Sequence, residues 1–313
     1  MVAIEDLDAP TRAAVEKTCT HIDGLATPDG SSLKIEALTG GITNRNYRLT
    51  GGSRDVVLRL HGKDTGLLGI DRRVEHAAAC QAAALGIGPG VAGLIEPELY
   101  LVTEFVVADT ADLASAPVFD AAVALLRTWH CAPAIPGRFD TFGLAENYAR
   151  TATSRGVPLP AQLGRTLEIS RSVEAVFASF DDPPVPGHND LLGANFLCST
   201  VEPGRVWLID WEYAGMNSRW FDLGNFSVNN DFDAATDEAL LERYFGGVSA
   251  TLLARLTLMR VMSDIREAMW GVVQQGISAL DFDYVGYANQ HFDRMMMNAS
   301  RPEFLTSLTI AGA

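Results

Sequence analysis

The chain has 313 residues, 48% hydrophobic and 20% charged, the balance of a folded globular protein rather than a disordered or fibrous one. With 39 acidic against 24 basic residues, the net charge of −15 argues against nucleic acid or an anionic membrane as the main partner. It suits a cationic ligand, or solubility alone.

Four cysteines (Cys19, Cys80, Cys131, Cys198) lie far apart without paired histidines. They argue against a zinc site or a disulfide framework and for a reducing, cytoplasmic compartment. The opening MVAIEDLDAP lacks a signal pattern, and no uncharged apolar run approaches transmembrane length, so no membrane association is expected.

In chain order, an Ala-rich helical start leads into LKIEALTGGITNRNYRLTGGSRDVVLRLHG. Its alternation of apolar and polar residues predicts three consecutive antiparallel strands, with Gly51-Gly52 at a tight turn. DRRVEHAAACQAAALGIG reads as a helix ending at Gly86 or Gly88, and YLVTEF as an apolar strand. Near residue 107 this sheet-rich third gives way to helices, over 118–131, about 160–180 and about 234–298. Between them, FLC and VWLI read as a hairpin joined by Pro203-Gly204.

The chemistry concentrates at that hairpin. His188-Asn189-Asp190-Leu191-Leu192-Gly193-Ala194-Asn195 precedes it, and Ile209-Asp210 follows it. The layout predicts that Asp190, Asn195 and Asp210 meet at one end of a two-stranded unit. Phosphoryl transfer needs such a trio: a carboxylate to orient a hydroxyl, and hard oxygens to hold Mg²⁺ against phosphates. An Asn- and Asp-rich surface turn is the plain alternative. Against it, Asp210 follows four apolar residues directly, and a carboxylate beside a buried strand needs a partner.

The segments HNDLLGAN and LIDWEY resemble the catalytic and metal-binding motifs of the choline/ethanolamine kinases, within the aminoglycoside-phosphotransferase-like group. The resemblance runs from about Leu38 to Arg294. It implies an α+β, bilobal protein-kinase-like fold, with a small antiparallel-sheet lobe over residues 1–107 and a mainly helical lobe over 108–313. It implies Asp190 as the catalytic base, kept ionised by nearby metal, and Asn195 and Asp210 as Mg²⁺ ligands. His188 packs beneath the loop in this reading, and Asp222 anchors it.

On the nucleotide side, LTGGITN resembles the family's phosphate loop, giving Gly40, Gly41, Thr43 and Asn44 as contacts for ATP. Arg59 in VVLRL stands where the family binds phosphate, aimed by Glu75. Glu104 and Val106 fall at the hinge that binds adenine through the main chain.

On the acceptor side, the resemblance implies a small cationic alcohol held by the aromatic faces of Trp270 and Tyr287 with a carboxylate nearby; Glu212 supports either a metal-bound water or the acceptor, and Glu267 adds a carboxylate of this chain's own. Glu267 replaces a second tryptophan of eukaryotic members, and Ser218 replaces a tyrosine. Choline is the first expectation. Ethanolamine, thiamine, an aminoglycoside or another hydroxylated amine are the alternatives, with a catalytically inactive nucleotide- or cation-binding module as the reading from another class. A homodimer is compatible with all of these.

Overall fold

The computed structural model describes residues 3–25, 33–38, 44–278 and 280–312. Five strands form one antiparallel sheet: β1 (Lys34–Leu38), β2 (Arg45–Gly51), β3 (Arg54–Leu60), β4 (Val91–Ile95) and β5 (Tyr100–Glu104), in the order β1-β2-β3-β5-β4. The three consecutive strands expected from alternation are the first three. Gly51 pairs with Arg54 across a two-residue turn, where Gly52 has φ +55° and a side chain would strike the Gly24 carbonyl.

Two helices of 13 residues serve this sheet. α1 (Ala9–His21) starts at Asp8, whose carboxylate accepts from Thr11 N–H. Its Ala14 and Val15 pack with Leu49, Val56, Leu58 and Val102. α2 (Arg72–Ala84) starts at Asp71, which accepts from Arg73 N–H. Its Ala78 and Ala82 join a larger cluster that includes Leu101, Leu208 and Trp211. Neighbouring residues of β5 therefore serve different cores, Leu101 one and Val102 the other, as the two-residue period of a strand dictates. The division at residue 107 is our reading of the covalent crossing; in packing, α2 belongs with the helical part.

Beyond the crossing lie β6 (Ala108–Thr110), α3 (Ala116–His130), α4 (Leu144–Ser154) and α5 (Leu163–Phe177). Then come β7 (Val185–Gly187), the hairpin β8 (Phe196–Ser199) and β9 (Val206–Leu208), and β10 (Gly215–Asn217), which pairs with β7. Five helices complete the chain: α6 (Arg219–Asn229), α7 (Ala234–Phe245), α8 (Ala250–Ile277), α9 (Tyr284–Ala299) and α10 (Pro302–Ile310). The architecture is α+β, a sheet followed by a mainly helical remainder. No single helix among the described residues is long and apolar enough to cross a membrane, and all four cysteines are free thiols.

The 28-residue α8 is the axis of the helical part. It is buried on all sides through its second half, with α4, α6, α9 and α10 against it. Gly224 of α6 makes the closest crossing: a Cβ there would lie 2.5 Å from the Met259 carbonyl carbon and 2.8 Å from Arg260 N. Backbone cannot yield as a side chain can, so Gly224→Ala forces α6 away from α8. We expect a loss of about 2–3 kcal/mol in urea unfolding, with a lower midpoint and an unchanged slope.

Candidate functional site

Two positive-φ residues mark the loops on either side of the hairpin: Asn189 (φ +65°) ahead of β8 and Asp210 (φ +70°) after β9. Asn and Asp tolerate this left-handed backbone better than other side chains, and the loops re-aim there. The first loop is fixed by Asp222 of α6. Its two carboxylate oxygens accept from His188 N–H (2.8 Å) and Asn189 N–H (2.7 Å), and the first also bonds His130 Nε2 at 2.9 Å. Asn225, one turn on, accepts from Leu191 N–H at 2.5 Å. His188 is fully buried and bonds the Ile209 carbonyl through Nε2 (3.0 Å), so the two loops are tied together through its ring. Burial pushes its ring pKa down, outweighing nearby Asp222, which keeps the imidazole neutral.

Asp190, Asn195 and Asp210 line one cavity of about 90 Å³, together with Glu212, Tyr213, Arg266, Glu267, Trp270 and Tyr287. The Asn195 amide nitrogen donates to the Asp190 carbonyl (2.8 Å), leaving the amide oxygen as the end that can meet a cation. Among the described residues, no cluster of three or more His, Cys, Asp or Glu is arranged to hold a metal by itself. An amide oxygen and a carboxylate from two neighbouring loops fit magnesium, which takes its other oxygens from phosphates and water.

Three guanidiniums thread the carboxylates. Arg59 Nη1 lies 2.5 Å from Asp210 Oδ1 and 3.1 Å from Glu75 Oε1. Arg72 Nη1 lies 2.7 Å from Glu75 Oε2 and 3.1 Å from Glu212 Oε2. Arg266 Nη1 lies 2.7 Å from Glu267 Oε1 and 3.1 Å from Asp190 Oδ1. Burial pushes the Asp190 carboxyl up to about 8, with Glu267, Asp210 and Glu212 adding to it against the pull of Arg266. Burial likewise raises Glu212, to about 7, with Asp210 adding to it. Burial alone would raise Asp210 too, but Arg59 overrides it and holds this carboxylate ionised. The ionised Asp190 expected beside a metal is thus not the form that the protein alone favours.

A second cavity, of about 210 Å³, opens from the same place. Leu38, Val57, Leu101, Leu197 and Ile209 form its apolar walls, Glu104 to Val106 its rim, and Arg59 and Asp210 its polar end.

Of the residues singled out in the sequence, Gly40, Gly41 and Thr43 lie outside the described residues. Asn44, grouped with them as a phosphate contact, instead donates to Glu212 Oε2 (2.9 Å) and lines the smaller cavity. Glu75 pairs with Arg59 as expected, and with Arg72 besides. The Glu104 side chain pairs with Arg54 (3.1 Å), leaving its main chain at the cavity rim. Trp270 Nε1 donates to Tyr213 Oη (2.8 Å), and Tyr287 Oη donates to Glu267 Oε2 (2.8 Å). Ser218 caps α6 by accepting from Trp220 N–H and adds no wall to either cavity.

Arg72, Arg266, Tyr213 and His130 were not singled out. Arg266-Glu267 had a readable signal, adjacent opposite charges inside the otherwise apolar stretch Ile265–Val273, which burial obliges to pair.

The chain matches the phosphotransferase enzyme family over residues 34–258. Ethanolamine kinase 2 of Homo sapiens is 30% identical over 174 residues, 48% of this chain and 44% of the human protein. The chain therefore spans less than half of that relative's length. Ethanolamine kinase 1 of Mus musculus is 26% identical over 321 residues, 84% of each chain. Among solved structures, a choline/ethanolamine kinase family protein from Mesorhizobium loti superposes with a TM-score of 0.78 at 29% identity, covering 96% of this chain and 99% of that one. Choline kinase LicA from Streptococcus pneumoniae also gives 0.78, at 23% identity, covering 93% and 99%, a likeness of fold.

The Asp222 carboxylate is the point on which the first loop rests. Asp222→Ala leaves two buried loop N–H groups and His130 without their acceptor. A loss of about 3 kcal/mol or more in denaturant unfolding is expected.

Proposed function

The chain belongs to the phosphotransferase enzyme family, and from that premise we propose that it is an ATP-dependent kinase acting on the hydroxyl of a small amino alcohol. One observation carries the reading: Asp190, Asn195 and Asp210 share a cavity with an aromatic and carboxylate corner, and Asp210 also faces the separate apolar cleft. A nucleotide in the cleft and an alcohol in the corner would meet at the loop residues between them.

In this reading adenine enters the cleft between Val57, Leu101 and Ile209 and bonds the main chain at Glu104 to Val106. Arg59 faces the phosphates, aimed by Glu75. Asn195 and Asp210 would hold magnesium, which would supply positive charge against the negative charge that builds on the phosphates during transfer. Asp190 orients the acceptor hydroxyl and takes its proton late, and cations bound nearby would favour the ionised form this needs. Glu212, engaged by Arg72 and Asn44, closes the pocket between the sheet side and the loop rather than reaching for substrate.

Trp270 and Tyr287 supply the aromatic faces that attract an ammonium group. Their ring centroids are 5.4 Å apart at 67°, a corner rather than a stack. Relatives named as ethanolamine kinases and a structural neighbour named as a choline kinase support acceptors of this class. Choline, the first expectation from the sequence, belongs to it, and so does ethanolamine.

Purified protein should release ADP from MgATP only with an amino alcohol present. Asp190→Ala should lower kcat by about 10³-fold with the KM for ATP little changed; unchanged turnover with every active acceptor would remove Asp190 from the chemistry. Trp270→Ala should raise KM for the acceptor by about tenfold and leave that for ATP nearly alone. Equal losses for both substrates would make Trp270 a packing residue.

A further inference from the structure

The acceptor corner already holds a cation, the protein's own. Arg266 of α8 is 3% exposed, and its guanidinium carbon lies 4.3 Å from the centroid of the Tyr213 ring. One nitrogen, Nη1, bonds both Glu267 and Asp190, while Nε and Nη2 are buried without a hydrogen-bond partner. An aromatic face with carboxylates at its edge is the arrangement by which proteins hold an ammonium ligand. Here the side chain of Arg266 takes that place.

What remains for a ligand is the pair Trp270 and Tyr287. The carboxylates are not all spent. Glu267 Oε2 accepts from the Tyr287 hydroxyl, and a carboxylate oxygen can accept a second bond. A primary ammonium is compact and carries three N–H donors that can use such acceptors. A trimethylammonium has none, is bulkier, and depends on being enclosed by several aromatic faces. The Tyr213 face, which would complete such an enclosure, is covered.

From this geometry we infer that Arg266 is a specificity-determining residue, which narrows the acceptor from amino alcohols in general to those with a primary ammonium, by filling the Tyr213 face. The inference rests on the kinase reading above. It makes Arg266 a wall of the pocket and requires no contact between it and the transferred phosphoryl group.

The test is steady-state turnover by the full chain with MgATP and the series ethanolamine, N-methylethanolamine, N,N-dimethylethanolamine and choline. For the wild type, kcat/KM should fall along the series, by about tenfold or more from first to last. Arg266→Met opens the Tyr213 face and frees Glu267, so the choline-to-ethanolamine ratio should rise by about tenfold. Arg266→Lys, which keeps the charge and most of the bulk, should stay nearer the wild type. A ratio unmoved in Arg266→Met while both acceptors lose activity together would make Arg266 merely structural and overturn the inference. So would a wild type that prefers choline, an outcome needing no variant at all. Should Arg266→Met not fold, Arg266→Met in a Glu267→Gln background removes the buried pair together, and its ratio is read against that of Glu267→Gln alone, with the same tenfold rise expected. A wild type that turns over none of the four would overturn the kinase reading and the inference with it.

Discussion

Buried charge needs a partner, and the centre of this molecule is arranged around that constraint. Five carboxylates face three guanidiniums in two sets of ion pairs: Arg59 and Arg72 with Glu75, Asp210 and Glu212, and Arg266 with Asp190 and Glu267. With all ionised, two negative charges have no counterpart. Asp190 and Glu212, one from each set, are the carboxylates whose pKa values are pushed up to about 8 and about 7. The protein alone thus offsets its surplus by holding protons, and bound cations would take over that task. A surplus of this kind is poor stability design, because replacing a buried ion pair by packed apolar groups is often stabilising. It makes sense in a receptor for the ligands proposed here, magnesium-bound nucleotide and a cationic alcohol.

The same ion pairs join parts of the chain that are remote in sequence. Arg59 on β3 reaches Asp210, 151 residues away, and Arg72 on α2 reaches Glu212, 140 residues away. Both acceptors lie on the short turn after the hairpin. The sheet side and the helical side are therefore latched at the point where phosphate and metal are proposed to meet. A phosphate arriving at Arg59 would compete with Asp210 for the guanidinium, and a cation on Asp210 would lower the cost of letting go. In this reading the two ligands assist each other through a pair they both replace.

Much of the fold was legible because it is written locally. Alternating residues located β1 to β3, the glycine turn at Gly52 fixed their register, and YLVTEF marked β5. The cluster of Asp190, Asn195 and Asp210 was legible because a single hairpin brings them together. Less of the acceptor corner was, because no local rule says which buried charge meets which. Arg266 is adjacent to Glu267 in the chain but 76 positions from Asp190, and that second contact depends on where α8 lies against the loop. Glu267 was read as a carboxylate for a ligand cation, and its bonds to Arg266, Asn229 and Tyr287, which no local pattern announces, come in addition. Asn44 was grouped with phosphate because of the glycines before it, yet its amide turns to Glu212, an acceptor supplied from across the cleft.

The precision of the acceptor corner follows from how α6 and α8 meet. α6 carries Asp222 and Asn225, which fix the backbone of the loop holding Asp190. α8 carries Arg266, Glu267 and Trp270, which form the wall opposite. The helices touch backbone to backbone at Gly224, and Asn225 donates to Ser263 Oγ (2.9 Å), so one cannot slide along the other without breaking contacts in both. The proposed base and the acceptor wall thus share one rigid foundation, while the groups proposed to face ATP ride on the sheet. In a site divided this way, the distance between Asp190 and the alcohol it is proposed to orient is set by α6 and α8 rather than by the sheet. Orientation of reacting groups is where much of the rate of such a transfer comes from, and here it rests on the contact of α6 with α8.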